Sequence, residues 1–180
     1  TANMYGCSCK IWETGTPCPD KNCMKCGKFT NGTERQLALL ERLRKLPKVK
    51  HVFISSGIRY DLLPKDDLGD RYLLEQREHY SSGHLKAAPE HISTHVTELM
   101  NKPPGRVFSD FYTRFEQLQT RETPKGKNRQ YLLPYLMSSH PGCRIEDMID
   151  LALYLQKYHL YTEQVQDFTP VPMTLSTAMY

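Results

Sequence analysis

The sequence lacks the features that would assign it to several common classes of protein. No apolar run approaches the ~18 residues that a membrane span requires, and no basic segment followed by an apolar one indicates a signal peptide. The dinucleotide fingerprint G-x-G-x-x-G, the phosphate-binding G-x-x-x-x-G-K-S/T and the nucleophile elbow G-x-S-x-G are all absent. We therefore expect a soluble protein that is neither a dinucleotide-binding nor a P-loop protein and has no hydrolase-type catalytic triad.

The net charge of the chain is also small, with a formal value of only +4. One basic group, from Arg42 to Lys50, closes a predicted helix, where positive side chains complement the helix dipole. The other, formed by Lys125, Lys127 and Arg129, lies in a loop that contains Gly and Pro. A nucleic-acid surface would combine such charge with interleaved aromatic residues on one face. The charge pattern therefore does not support nucleic-acid binding.

Cysteine is almost confined to the start of the chain. Residues 7–33 are polar, rich in Cys, Gly, Pro, Asn and Lys, and without helical or strand period, which predicts an insertion that needs a cross-link to hold its shape. Four thiolates suffice for tetrahedral zinc or for an iron–sulfur cluster, and disulfides are the alternative. The predicted metal ligands are Cys9, Cys18, Cys23 and Cys26, whereas the distant Cys143 is predicted to be a lone structural thiol.

Four short apolar runs that end abruptly in polar, Gly or Pro residues predict the fold. These runs are residues 51–57, 85–91, 131–142 and 165–170, with a further strand stump at 1–5. Helical patterns cover residues 36–46, 70–80, 94–100, 106–121 and 145–158, and apolar stripes containing Leu43, Leu46, Ile145 and Ile149 are predicted to face the core. The alternation predicts an α/β fold with a parallel sheet, either doubly wound or part of a barrel.

In such folds the residues just past the carboxyl ends of the strands build the site. Glu90 and His91 form the polar end of the second run, where a carboxylate beside an imidazole can hydrogen-bond a ligand or exchange protons with it. The alternative is an ordinary helix N-terminal turn. Ser139 and Gly142 follow the third run, where small residues let a ligand approach the backbone and the next helix N-terminus favours an anionic group.

The first run ends in a similar way. Ser56 and Arg59 follow it, and Arg59 could hold a carboxylate through a bidentate bond. The alternative is that Arg59 pairs with its neighbour Asp61 at the surface.

Taken together, the strand ends resemble the YgiQ family of uncharacterised radical SAM proteins. The matching motifs are T-A-N-M-Y, S-G-x-R-Y-D, L-K-x-A-P-E-H, Q-Y-L-x-P-Y-x-x-S-x-H-P-G and Q-V-Q-x-F-x-P, at residues 1–5, 56–61, 85–91, 130–142 and 164–170. The resemblance covers essentially the whole chain, with the motifs in the same order and a cysteine-rich insertion after the first. It implies a partial (β/α)6 barrel that places S-adenosylmethionine and a 4Fe–4S cluster at the carboxyl ends of its strands.

The resemblance also implies an activity and a set of site residues. A radical SAM enzyme cleaves S-adenosylmethionine reductively to a 5′-deoxyadenosyl radical, which would here act on an unknown substrate in the cytoplasm. The electrons would come from a reductant such as flavodoxin or ferredoxin. By analogy, Ser56 and Arg59 face the carboxylate of S-adenosylmethionine. Glu90 and His91 face its ribose or amino-acid part, and Ser139 and Gly142 face its adenine or methionine part.

One departure from the superfamily pattern limits this interpretation. The cluster-binding motif C-x3-C-x2-C is absent, and the chain begins at Thr1 rather than Met, so we expect an inactive fragment of the radical SAM core, residues 1–180. Two alternatives stay open. The cysteine-rich insertion could form a metal-stabilised binding module on an inert α/β scaffold, or an ordinary barrel lyase or hydrolase could use Glu90 and His91 as acid and base.

Overall fold

The chain consists of two compact units. The computed structural model describes residues 5–7, 26, 28–122, 129–160, 162 and 165–180. Residues 1–54 and 62–80 form the first unit, and residues 55–61 and 81–180 form the second. Among the described residues, none of the helices is long and apolar enough to cross a membrane.

The first unit is built from a short hairpin and two helices. Strands β1 (Tyr5–Cys7) and β2 (Phe29–Asn31) pair antiparallel, and they are followed by α1 (Thr33–Arg44), α2 (Asp67–Glu75) and a π-helical turn, Gln76–Tyr80. Helix α2 begins where the Asp66 carboxylate accepts hydrogen bonds from the N–H groups of Leu68 and Gly69. The hairpin was not predicted, because neither strand shows an apolar pattern.

The apolar stripe predicted for the first helix is only half correct. Leu37 and Leu40 are buried, whereas Leu43 and Leu46 are 37% and 51% exposed. Helix α1 begins three residues before the predicted start and ends at Arg44, so Leu46 lies beyond its last turn. Among the described residues of this unit, the other buried apolar side chains are Leu63, Tyr72, Leu73 and Tyr80.

The second unit contains a three-stranded parallel sheet in the order β3-β4-β5. Its strands are β3 (His84–Glu90), β4 (Tyr131–Ser138) and β5 (Val165–Asp167). Along β3 and β4 alternate residues are buried, so one face belongs to the core and the other is half-exposed. These three strands confirm the last three of the predicted runs and the parallel arrangement.

Helices precede and follow the strands of this sheet. They are α3 (Thr94–Leu99), α4 (Gly105–Glu122), α5 (Ile145–Lys157) and α6 (Leu175–Met179), with a 3-10 turn at Tyr60–Leu62. The first three confirm the predicted helices. The core of the unit combines side chains of the sheet with those of α3, α4 and α5, including Leu85, Ala87, Val96, Phe108, Phe111, Phe115, Leu118, Leu132, Leu136 and Leu151.

Two predictions for this part of the chain are wrong. Residues 51–57 form no ladder. Only Ile58, just after them, makes a parallel bridge, to Ala87, because a strand needs a continuous partner and an apolar pattern does not supply one. On α5 the predicted core stripe is partly at the surface, since Ile145 and Ile149 are 75% and 53% exposed while Leu151 is buried. Leu151 lies off the predicted stripe, so the helix presents another face to the core.

Candidate functional site

The carboxyl ends of β3 and β4 lie side by side and both carry unusual backbone. The ladder between the two strands shifts register between Ala87 and Glu90, and Glu90 is paired with Leu136. Glu90 has φ of 63° and Ser139, directly after β4, has φ of 60°. Such left-handed conformations cost a non-glycine residue on the order of 1–3 kcal/mol and persist only where the surroundings hold them. The sequence-predicted residues Glu90 and Ser139 are thus brought together at one strained edge.

Glu90 forms an ion pair at this edge. The Lys102 Nζ lies 3.1 Å from the Glu90 Oε1 and 3.4 Å from the carbonyl oxygen of Ala88. The two charged side chains keep 35% and 23% of their surface exposed, so solvent and a ligand can reach both. No role was predicted for Lys102, since no local pattern indicates that a residue twelve positions after Glu90 reaches back to the strand end.

His91 lies beneath the edge and is only 1% exposed. Its Nδ1 accepts a hydrogen bond from the N–H of Ser93 at 3.0 Å, which places the proton of the neutral ring on Nε2. That nitrogen faces the Cys143 Sγ at 3.9 Å. Burial lowers the pKa of His91, although the nearby Asp147 acts in the opposite direction. The structure therefore holds His91 as a buried neutral imidazole.

A buried carboxylate joins the loop after β3 to the start of α5. The Asp147 Oδ1 accepts from the Ser93 Oγ at 2.5 Å, and its Oδ2 accepts from the Arg144 N–H at 2.9 Å. The hydrogen bond from Ser93 is the main reason that the pKa of Asp147 is lowered, so the group is charged near neutral pH. This contact was not predicted, because its two partners are 54 residues apart.

The loop after β4 presents small residues and contacts α3. Ser139 and Gly142 are both exposed, and Gly142 has φ of 85°, a conformation that favours glycine. The carbonyl oxygen of Gly142 lies 3.0 Å from the His95 Nε2, which must be the donor since a carbonyl only accepts. A Cβ atom at Gly142 would lie 2.6 Å from the end of the Leu99 side chain.

His140 anchors the segment after β5 to the same loop. It is buried, its Nε2 lies 2.9 Å from the Ser176 Oγ, and its Nδ1 lies 2.9 Å from the carbonyl oxygen of Pro141. The Phe168 ring meets it edge-on. Because the Pro141 carbonyl can only accept, the His140 Nδ1 donates to it. This histidine therefore links the loop after β4 to the segment after β5.

The residues predicted after the first run have different surroundings. Ser56 is exposed, and Arg59 binds Asp61 in a bidentate pair with distances of 2.8 and 2.6 Å. The second of the two interpretations, pairing with Asp61, is the arrangement in the structure. The fork of Arg59 that could grip a ligand carboxylate is thus directed at a protein carboxylate.

The predicted metal site lies mostly outside the described residues. Cys9, Cys18 and Cys23 belong to that part of the chain, whereas Cys26 is described and its Sγ accepts from the Lys28 N–H at 3.5 Å. Among the described residues, no three His, Cys, Asp or Glu side chains are placed to hold a metal ion. Burial raises the pKa of the Cys143 thiol, which agrees with a structural thiol.

Comparison with known proteins finds that the chain is similar to UPF0313 proteins. Along its whole length it is 47% identical over 183 residues to a UPF0313 protein of Methanosarcina acetivorans, of which it covers 24%. It is 46% identical to one of Methanosarcina mazei and 45% identical to one of Geobacter sulfurreducens, covering 28% and 29% of them. The chain thus spans about a quarter of the length of these relatives. No family model matches it.

Proposed function

We propose that the chain forms part of the S-adenosylmethionine site of a radical SAM enzyme, in a partial (β/α) barrel of the YgiQ type. When bound and reduced, S-adenosylmethionine supplies such an enzyme with a radical that abstracts hydrogen from a substrate. The observation that carries the proposal is the Glu90–Lys102 ion pair at the carboxyl end of β3, beside the end of β4. The ordered motif resemblance supports it, since the same residues fall at strand ends.

The ion pair suits the amino-acid part of S-adenosylmethionine. That part is a zwitterion, with an ammonium group and a carboxylate a few ångströms apart. The Glu90 carboxylate would accept hydrogen bonds from the ammonium group, and the Lys102 ammonium would donate to the carboxylate. Because a partly exposed ion pair contributes only about 0–1 kcal/mol by itself, its charges can turn to a ligand at little cost.

The surroundings leave room for the rest of the ligand. Ser139 and Gly142 follow β4 and are small and exposed, so a nucleoside can approach their backbone. Glu90 shares the half-exposed face of β3 with Lys86 and Ala88, and in a barrel this face would line the interior. In this proposal His91 supports the edge from beneath.

The 4Fe–4S cluster does not fit the residues described in this chain. They offer no group of three ligands, and the sequence contains no C-x3-C-x2-C motif. The proposal therefore assigns the cluster ligands to other parts of a longer protein, in keeping with the greater length of the relatives. A cytoplasmic setting and a flavodoxin or ferredoxin reductant belong to the same proposal and rest on the resemblance.

Replacing Glu90 with glutamine should weaken the binding of S-adenosylmethionine to this chain about ten-fold, because one charge-assisted hydrogen bond to the ammonium group is lost. Chemical shifts of the labelled protein, titrated with S-adenosylmethionine, measure the affinity. Glu41→Gln is the matched control, since Glu41 also pairs with a lysine but lies in the first unit, 2.6 Å from the Lys45 Nζ. Equal losses in the two variants, or no titration of the unaltered chain, would reject the Glu90 assignment.

The reaction itself is tested on a full-length relative. The Methanosarcina acetivorans UPF0313 protein, loaded anaerobically with iron and sulfide, should release 5′-deoxyadenosine from S-adenosylmethionine after reduction. A properly loaded protein that releases none would count against the radical SAM assignment. Activity in air with metals chelated would favour the lyase or hydrolase alternative.

A second candidate function is a metal-stabilised binding module at the start of the chain. The Lys28 N–H that points at the Cys26 Sγ favours it, because backbone donors of this kind stabilise a thiolate. We expect the purified chain to carry zinc, or iron with sulfide, and Cys26→Ser to lose it, while Cys143→Ser keeps it. Elemental analysis decides the question. A chain without metal, or equal metal in both variants, would leave the insertion as a plain loop.

A further inference from the structure

The loops that follow β3 and β4 touch each other at three places. Three alternate residues after β3, the last of them in α3, face the loop after β4 or the first turn of α5, in the pairs His91 with Cys143, Ser93 with Asp147, and His95 with Gly142. We infer that the Ser93–Asp147 hydrogen bond holds the segment after β3 against the segment after β4, and that both residues position Glu90 for its ligand without touching that ligand. The part concerning the ligand rests on the proposed function.

Among the three contacts, the one between Ser93 and Asp147 is the best suited to hold the loops. It is the shortest, at 2.5 Å, and its acceptor is a buried carboxylate whose other oxygen is held by the Arg144 N–H. Hydrogen bonds to a charged acceptor are stronger than neutral ones. By comparison, the contact between His91 and the Cys143 sulfur is long. The hydrogen bond between His95 and Gly142 is exposed, so solvent competes for it.

The Ser93–Asp147 hydrogen bond acts on Glu90 through the short segment of residues 91–92. Glu90 holds a left-handed backbone that relaxes unless its neighbours restrain it. Ser93 restrains it twice, since its N–H binds the buried His91 ring and its hydroxyl binds Asp147. From the other side the first residue of α4, Gly105, lies against the backbone of Ile92. Without the hydroxyl, the turn is held on fewer sides and the carboxylate of Glu90 shifts from its place.

Four variants of the 180-residue chain test the inference. They are Ser93→Ala, Ser93→Thr, Asp147→Asn, and the double variant that combines Ser93→Ala with Asp147→Asn. Ser93→Ala and Asp147→Asn should each weaken S-adenosylmethionine binding about five-fold, and the double variant should be no weaker than the worse single one. Ser93→Thr, which keeps a hydroxyl, should restore the affinity. Tyr112→Phe is the control, because it removes a hydrogen bond to the Tyr158 carbonyl oxygen away from the strand ends.

A measurement without ligand separates this inference from the proposed function. In the spectrum of the free chain, Ser93→Ala should shift the amide signals of residues 139–144 on the opposite loop, whereas Tyr112→Phe should not. If these shifts occur but S-adenosylmethionine does not bind, the proposed function is rejected, and the structural role of the Ser93–Asp147 hydrogen bond is supported. Unmoved signals, independent losses that multiply in the double variant, or an equal loss in Tyr112→Phe would overturn the inference.

Discussion

A Gly105→Ala variant is expected to lose about 3 kcal/mol of its free energy of unfolding. A Cβ atom at Gly105 would lie 2.1 Å from the carbonyl oxygen of Ile92 and 2.8 Å from its carbonyl carbon. Both are backbone atoms, so no side-chain rotation relieves the overlap, and the turn that follows Glu90 must move. Helix propensity alone predicts the opposite sign, since alanine is favoured over glycine within a helix by about 1 kcal/mol.

Urea denaturation followed by circular dichroism measures this loss. Gly57→Ala is the matched control, because its new Cβ would meet the Lys86 carbonyl oxygen at an ordinary 3.4 Å. That variant should change the free energy of unfolding by less than about 1 kcal/mol. If Gly105→Ala is as stable as the unaltered chain, the close approach of α4 to the turn after β3 is wrong.

His91→Ala is expected to cost about 3 kcal/mol and to remove part of the pH dependence of stability. The substitution leaves a cavity beneath the strand edge and deprives the Ser93 N–H of its acceptor. Because burial lowers the pKa of His91, the unfolded chain binds a proton more readily than the folded one. The stability due to neutral His91 is present above its unfolded pKa, about 6.5, and is lost as the pH falls below that value.

The measurement compares free energies of unfolding at pH 7.5 and at pH 5.5. The difference should be smaller in His91→Ala than in the unaltered chain, whereas His84→Ala, which removes an exposed histidine of the same unit, should keep it. The lowered pKa of Asp147 acts at more acidic pH, because stability from a charged carboxylate is lost only as it becomes protonated. An unchanged pH dependence in His91→Ala would show that His91 is not held neutral.

Local periodicity predicted the longer elements of the second unit, whereas α6 was not predicted. Helices α4 and α5 lie within a residue of their predicted ranges, and β4 occupies Tyr131–Ser138 of the predicted run 131–142, because a repeat of apolar residues reports directly on the face that an element buries. The same signal misled at residues 51–57, where an apolar run has only one bridging neighbour, Ile58. It also misled for α5, whose residues Ile145 and Ile149 lie at the surface.

The candidate site was predicted only as far as single strand ends allow. Glu90 and Ser139 could be picked out, because each follows an apolar run that must end at the edge of a parallel sheet. Their left-handed backbone, and the burial of His91 directly beside the half-exposed Glu90, depend on neighbours that no local pattern contains. The roles of Lys102 and Asp147 were invisible for the same reason.

By itself, the sequence determined most of the helices, the parallel pairing of the later strands and the edge at which polar residues collect, since these follow from side-chain period and chain connectivity. Only the tertiary structure decided which polar groups meet there. Ser93 and Asp147 are 54 residues apart and Glu90 and Lys102 are twelve apart, yet each pair is in contact. Such contacts arise from packing between distant segments, so they are properties of the folded chain and of no single stretch within it.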